Sequence, residues 1–151
     1  MSINLLVMKN LFDINEQIKI RSLNDPRIEY TGSNEYPTKV LHLEKLIEYA
    51  PKKRTVIEIA AYYLKNIIIL QAFPDANHRT ALTATERFLE KNGYNLDYEA
   101  FEAYKFRKEL YDRRLHTYGT YEERPISVLK EGDNKVFSLC LEFIKAHIKM
   151  N

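Results

Sequence analysis

The pattern of apolar residues along the chain predicts a protein built from helices. Apolar side chains recur every three or four residues, the spacing of one helix face, over residues 4–20, 41–50, 97–115 and 134–149. The alternation that marks strands is weak throughout. Residues 24–39 are polar and contain Pro26, Gly32 and Pro37, so we expect a loop there. The pattern predicts an all-α fold.

Residues 56–71 are predicted to form a buried helix at the centre of the bundle. They are apolar on almost every face, which is typical of a helix surrounded by other helices. Thr55 and Glu58 form a T-x-x-E capping box that places the start of this helix. The next helix is predicted to begin near Asn77 and to end at Gly93, because glycine suits the left-handed position after a helix.

Two further helices complete the predicted bundle. In the helix over residues 97–115, the expected inner positions are Tyr98, Phe101, Tyr104, Leu110 and Tyr111. The last helix, residues 134–149, contains the chain's one cysteine, Cys140, within an apolar run. One cysteine excludes an internal disulfide and a cysteine-based zinc site, so we expect a buried structural thiol.

Length and charge limit the classes of function. The chain has 151 residues, which suits a single domain over residues 1–151. With 23 basic and 21 acidic residues the net charge is +2, so charge indicates neither nucleic acid nor a membrane surface as a partner. The apolar stretches are too short for a membrane span or a signal peptide, and we expect a cytoplasmic protein.

The turn between the two central helices carries the candidate chemistry. In LQAFPDANHRTALT, residues 70–83, the first helix ends before Pro74 and a second begins at Asn77. A helix N-terminus suits an anion because its first N–H groups are unpaired and its dipole is positive there. Arg79 adds a guanidinium that suits phosphate. Asp75 is a carboxylate of the kind that holds Mg²⁺ together with substrate phosphates. The alternative is that Asp75 merely caps the helix and Arg79 is a solvated side chain.

This turn resembles the core motif of the Fic/Doc (Fido) family, H-x-F-x-[D/E]-[G/A]-N-x-R. It is most similar to the death-on-curing (Doc) branch, whose form is H-x-F-x-D-A-N-K-R-T-A. The matching residues are Phe73, Asp75, Ala76, Asn77, Arg79, Thr80 and Ala81. The resemblance covers about residues 55–95, from the helix IEIAAYYL to RFLEKNGY. It implies a compact helical bundle with a central buried helix.

The resemblance also implies a transferase that uses ATP and Mg²⁺. Members of the family move AMP or, in Doc toxins, the terminal phosphate of ATP to a protein hydroxyl, and the Doc target is a translation factor. By this resemblance Asp75 would hold the Mg²⁺. The backbone N–H groups around Ala76, Asn77 and His78 would receive the anion, while Asn77 and Arg79 would bind phosphates. Phe73 would anchor the loop.

Two residues depart from the family motif. Gln71 stands where the family has the histidine that acts as general base, and a neutral amide can only orient a hydroxyl. Because loss of a base typically costs about 10²–10⁴ in rate, the substitution Gln71→His is predicted to raise transfer by about 10²-fold. His78 stands at the Doc lysine and is the alternative base, although it projects from the following helix.

Two segments outside the motif are candidates for the family's accessory elements. Residues 48–55, EYAPKKRT, are a candidate for the flap that aligns the target chain, or else a solvated charge cluster. Residues 31–36, TGSNEY, have the threonine and glutamate of the inhibitory motif [S/T]-x-x-x-E-[G/N] but end in tyrosine. A Doc-like toxin would therefore be inhibited by a separate antitoxin.

Three hypotheses remain open from the sequence. The chain is a Doc-like transferase, a catalytically inactive Fido-fold binding or regulatory module, or a structural helical bundle with a relict motif. Nucleotide binding that depends on Mg²⁺ separates the third hypothesis from the other two. Transfer of label to a protein separates the first from the second.

Overall fold

The computed structural model describes residues 2–28, 30, 37–119 and 124–151. Six α-helices lie in these ranges: α1 (Met8–Asn24), α2 (Val40–Glu48), α3 (Val56–Leu70), α4 (Asn77–Lys91), α5 (Ala100–Tyr118) and α6 (Lys135–His147). Two strands, β1 (Tyr94–Leu96) and β2 (Ile148–Met150), and a 3₁₀ helix, Ile126–Lys130, complete the regular structure of this part of the chain. The predicted all-α class is confirmed.

Helix α3 lies at the centre of the bundle, as the sequence predicted. Every residue from Ile59 to Leu70 is buried, and α3 packs against α4 and α6. The predicted capping box is present, because the Glu58 N–H donates to the Thr55 hydroxyl at 3.2 Å and the Glu58 carboxylate accepts from the Thr55 N–H at 3.3 Å. The cap fixes where α3 begins, and its buried residues fix how it packs. Together they determine where α3 ends, at Leu70, directly before the motif loop.

The two short strands were not predicted. Gly93, with a φ of +90°, turns the chain from α4 into β1. β1 then pairs antiparallel with β2, with Tyr94 opposite Met150 and Leu96 opposite Ile148. The helix predicted over residues 97–115 is therefore displaced toward the C-terminus, to Ala100–Tyr118, and the helix predicted over residues 134–149 is shorter, Lys135–His147. Strands of three residues are too short to give a period, and pairing with a distant segment stabilises them.

The inner face of α5 was predicted wrongly in part. Its buried residues are Phe106, Leu110 and Arg114, which recur every four residues. Leu110 is therefore a correct prediction. Three predicted inner residues are instead exposed, by 73%, 61% and 45% respectively: Phe101, Tyr104 and Tyr111. The prediction counted aromatic residues as markers of the core, whereas the inward stripe includes a charged residue that is only 1% exposed.

The expectations for the cysteine and for membrane spans can be compared with the described residues. Cys140 on α6 is wholly buried, and burial raises the pKa of its thiol, so the prediction of a structural thiol is confirmed. Within the described ranges, the helices lack the combination of length and apolar character that crossing a membrane requires.

Candidate functional site

The loop between α3 and α4 is bounded by two residues in the left-handed conformation. Gln71 follows α3 with φ 46° and ψ 49°, and Ala76 precedes α4 with φ 61° and ψ 28°. For a residue with a Cβ this conformation costs about 1–2 kcal/mol, so surrounding contacts have to hold the loop. Strain of this kind is concentrated at ligand sites.

Asn77 and Phe73 hold the loop closed. The Phe73 N–H donates to Asn77 Oδ1 at 3.0 Å, and Asn77 Nδ2 donates to the Phe73 carbonyl at 3.0 Å. The Phe73 ring is 4% exposed and lies edge-on to Phe12 of α1, with ring centroids 5.9 Å apart. Phe73 thus anchors the loop, as expected. These two hydrogen bonds, called the clip below, occupy the side chain of Asn77. Of the groups of Asn77, the backbone N–H is therefore the one that can bind phosphate.

Asn15 of α1 is a structural residue of the site that the sequence analysis missed. It is 6% exposed, and its Nδ2 donates to the Asp75 carbonyl at 3.0 Å and to the Thr80 hydroxyl at 3.1 Å. Its Oδ1 accepts from the Tyr30 hydroxyl at 3.0 Å. A signal was present, because Asn15 is the polar residue beside Ile14 on the buried stripe of α1.

A cavity of about 370 Å³ opens at the N-terminus of α4, within the range of small-molecule sites. Its lining residues are Arg27, Asp75, Ala76, Asn77, His78, Arg79 and Arg107. The Thr80 N–H makes the first helical bond, to the Ala76 carbonyl at 2.8 Å, so the three N–H groups before it precede the helical ladder. The Ala76 N–H donates to Asp75 Oδ1 at 2.6 Å, and we therefore remove it from the predicted anion-binding set.

Three arginines give the cavity a positive character. Arg79 was predicted, whereas Arg107 of α5 and Arg27, which follows α1, were not. Arg27 forms two hydrogen bonds with Asp25, from Nε to Oδ1 at 3.0 Å and from Nη2 to Oδ2 at 2.9 Å, which offset part of its charge. The three guanidinium groups and the helix terminus together give the cavity its positive field.

The donor set fits Mg²⁺ only when phosphate accompanies it. Within the described residues, no group of three or more histidine, cysteine, aspartate and glutamate side chains could hold a metal ion. Asp75 lines the cavity together with the arginines, which would repel a bare cation. Nucleotide phosphates would place negative charge between the arginines and the ion. One carboxylate plus phosphates is a usual way to hold Mg²⁺.

The surroundings of His78 oppose its predicted role as a substitute base. Its Nε2 is buried with no hydrogen-bond partner among the described residues, and its ring lies 5.8 Å from the Phe106 ring. Burial, helped by the charge of Arg107, lowers the pKa of His78 from 6.5 to about 4. An imidazole with this pKa is neutral at pH 7 and takes up a proton only weakly.

Gln71 lies where the sequence analysis placed it, at the end of α3, but its side chain faces α5. Hydrogen bonding assigns the oxygen end of the amide to Arg114, because Oε1 then accepts from Nη1 and Nη2 at 3.0 Å each. Arg114 is 1% exposed. In the predicted role the amide oxygen accepts a hydrogen bond from a target hydroxyl. That hydroxyl would have to compete with the buried guanidinium of Arg114 for the same oxygen.

The candidate flap over residues 48–55 does not lie at the loop. Its Arg54 forms salt bridges with Glu58 and, from Nη1 to Oδ1 at 2.7 Å, with Asp133. The segment beside the loop is instead residues 37–39, where the Lys39 N–H donates to the Ala72 carbonyl at 2.7 Å. The candidate inhibitory motif, residues 31–36, lies outside the described residues.

We predict that Asn77→Ala destabilises the protein by about 1–2 kcal/mol, because it leaves the Phe73 N–H and carbonyl without their partner. Urea denaturation at pH 7 measures the change. Asn95→Ala, at an exposed position of β1, is the matched control and is expected to change stability by about 0.5 kcal/mol or less. Equal effects of the two substitutions would show that the clip does not hold the loop.

Comparison with known proteins gives one match. A protein-family model described as the Fic/DOC family matches residues 2–89, a range that holds the whole motif loop and most of α4. No curated protein and no solved structure matches the chain. The match is to the family as a whole, so the Doc branch and the correspondence of Gln71 to the motif histidine stay predictions.

Proposed function

Because the chain belongs to the Fic/DOC family, we propose that it binds a magnesium nucleotide, ATP, with the phosphates at the N-terminus of α4. The family reaction, transfer of a phosphate or AMP group to a protein hydroxyl, then runs at a rate lowered by about 10²–10⁴ because no base is in place. The observation that supports the binding most is the cavity where the first N–H groups of α4 meet Arg79, Arg107 and Asp75.

Each lining residue would have a distinct task. The N–H groups of Asn77, His78 and Arg79 would donate to one phosphate group, as helix N-termini do. The guanidinium groups of Arg79 and Arg107 would orient the neighbouring phosphates with paired hydrogen bonds. Asp75 would hold Mg²⁺, which when bound offsets phosphate charge and polarises the phosphoryl group. The clip between Asn77 and Phe73 keeps these groups in place before the nucleotide arrives.

A second function, a binding or regulatory module without transfer, is favoured by the state of the two candidate bases. Gln71 faces Arg114, and His78, whose Nε2 is buried, has a pKa lowered to about 4. Neither group is suited to take a proton from a target hydroxyl at pH 7. The Doc-like match of residues 73–81 supports further proposals: a translation factor as the protein substrate, a separate antitoxin and a cytoplasmic location.

Calorimetry with Mg–ATP tests the binding. We predict that Arg79→Ala and Arg107→Ala each weaken binding by about tenfold or more, the usual worth of a hydrogen bond to a charged group. Arg113→Ala removes an exposed arginine of the same helix as Arg107 and is the matched control. Mg²⁺ without nucleotide is expected to give no heat. Equal binding by the wild type and both cavity variants would refute the site.

Incubation of the protein in a cell lysate with ATP labelled at the α or the γ phosphate separates the two functions. A slow enzyme labels a protein from only one of the two nucleotides, and the labelled position identifies AMP or phosphate transfer. A binding module labels nothing while the calorimetric binding persists. Fast labelling that is lost in His78→Ala would show that His78 is the base and would contradict the account given of its surroundings.

A further inference from the structure

We propose that Arg114 is a positioning residue that sets the hydrogen-bonding polarity of position 71. While Arg114 is present, a histidine at this position presents a donor, not a base, on its side away from α5. Gln71 and Arg114 are then a matched pair, and the base cannot be restored by changing one of them. The contact between Gln71 and Arg114 does not depend on the proposed function, whereas its effect on group transfer rests on that function.

The contact carries the first step. Gln71 Oε1 accepts from both terminal nitrogens of Arg114 at 3.0 Å, and Arg114 is 1% exposed. A guanidinium has only donors, so the group that faces it has to be an acceptor. Removing the partner of a buried arginine leaves its charge uncompensated and destabilises the fold, which makes this a strong constraint on residue 71. Position 71 therefore has to turn an acceptor toward α5.

The same contact determines the tautomer of a histidine introduced at position 71. A neutral imidazole has one nitrogen that accepts and one that donates. If the accepting nitrogen of an introduced histidine meets Arg114, the other nitrogen carries the hydrogen and points away from α5. That nitrogen can donate a hydrogen bond but cannot remove a proton from a hydroxyl. This corrects the expectation from the sequence that Gln71→His alone restores transfer.

The positive charge of Arg114 acts in the same direction. Besides Arg114, the charged residues whose contacts here are described are Arg124, whose N–H donates to the Ile69 carbonyl at 3.3 Å, and Lys39, whose N–H donates to the Ala72 carbonyl at 2.7 Å. Both contacts are made by the backbone, so Arg114 is the one whose charged group is seen to touch position 71. Cations nearby favour the neutral imidazole and weaken it as a base.

Nitrogen-15 NMR of the introduced imidazole tests the inference without nucleotide. In Gln71→His we expect the hydrogen on the nitrogen that faces away from Arg114. In Gln71→His/Arg114→Glu the acceptor-only carboxylate should reverse the tautomer and raise the pKa of the imidazole by about one pH unit or more. Gln71→His/Arg113→Glu makes the same charge change at an exposed position of α5 and should match the single variant.

The same tautomer in the single variant and in Gln71→His/Arg114→Glu would overturn the inference. If the charge reversal at Arg114 prevents folding, the variant Gln71→Glu is used for the test instead. Arg114 should then hold the pKa of the new carboxyl below its usual value of about 4.3. A value at or above 4.3 would overturn the inference as well.

Transfer of labelled phosphate gives the functional readout. We expect Gln71→His/Arg114→Glu to exceed Gln71→His by about 10²-fold, the usual worth of a positioned base. Measurable and equal transfer by the two variants would contradict the inference. If neither the wild type nor any variant binds Mg–ATP while the tautomers are as expected, the proposed function is refuted. The pairing of Gln71 with Arg114 is then established independently of it.

Discussion

Truncating Phe73 to alanine is expected to destabilise the protein by about 3–5 kcal/mol, the range for a buried phenylalanine. The ring is 4% exposed and packs edge-on against Phe12, so its removal leaves a cavity between the loop and α1. The loop has two left-handed residues and depends on outside contacts to hold that conformation. We therefore expect Mg–ATP binding to weaken as well, even where the variant remains folded.

Chemical denaturation measures the effect on stability, and Phe101→Ala is the matched control. Phe101 is 73% exposed, so the same truncation should cost about 0.5 kcal/mol or less. Phe73→Leu keeps most of the buried volume and should recover much of the loss. A cost for Phe73→Ala no greater than that for Phe101→Ala would show that Phe73 does not anchor the loop.

Replacing His78 with glutamine is expected to make the protein less sensitive to acid. The pKa of His78 is lowered to about 4 in the folded protein by burial and by the nearby Arg107, from 6.5 when the residue is free. Between these values the unfolded chain binds a proton that the folded chain does not, so stability falls as the pH falls. From about pH 7.5 to about pH 4 the loss from this residue is about 3 kcal/mol.

The measurement is the difference in unfolding free energy between the two pH values for the wild type and for His78→Gln. His116→Gln, which makes the same substitution at an exposed position of α5, is the matched control. His147 acts in the opposite direction: burial lowers its pKa, but hydrogen bonds to the Phe143 carbonyl and Glu102 raise it overall. Its contribution is thus present in acid and is lost as the pH rises. An unchanged acid response in His78→Gln would contradict the lowered pKa of this imidazole and the burial of its Nε2.

The parts of the fold and site that the sequence predicted are those that short segments determine. Residues 56–71 are apolar on almost every face, so their central position follows from their own composition. Thr55 and Glu58 cap this helix, and Pro74 separates it from the next one. Asp75 and Arg79 lie within the turn itself and were predicted for that reason. Both line the cavity at the start of α4.

The parts that were missed depend on contacts between distant segments. Arg27 and Arg107 reach the cavity from the end of α1 and from α5, and neither has a local pattern that marks it. Arg114 is a charged residue on a buried stripe, which no rule of apolar periodicity predicts. The burial of His78 Nε2 likewise depends on α5, whose Phe106 ring lies beside the imidazole. For the same reason the faces of α5 were assigned wrongly.

The most direct test of the central claim is a titration of the nitrogen-15-labelled protein with Mg–ATP, followed through its backbone amide signals. The account predicts that the largest shifts occur at the N–H groups of Asn77, His78 and Arg79, and that in Arg79→Ala they require about tenfold more Mg–ATP or more to reach half their size. Inorganic tripolyphosphate should shift the same three amides. Shifts confined to another surface, such as the groove between α5 and α6 at Phe101 and Phe143, would contradict the account.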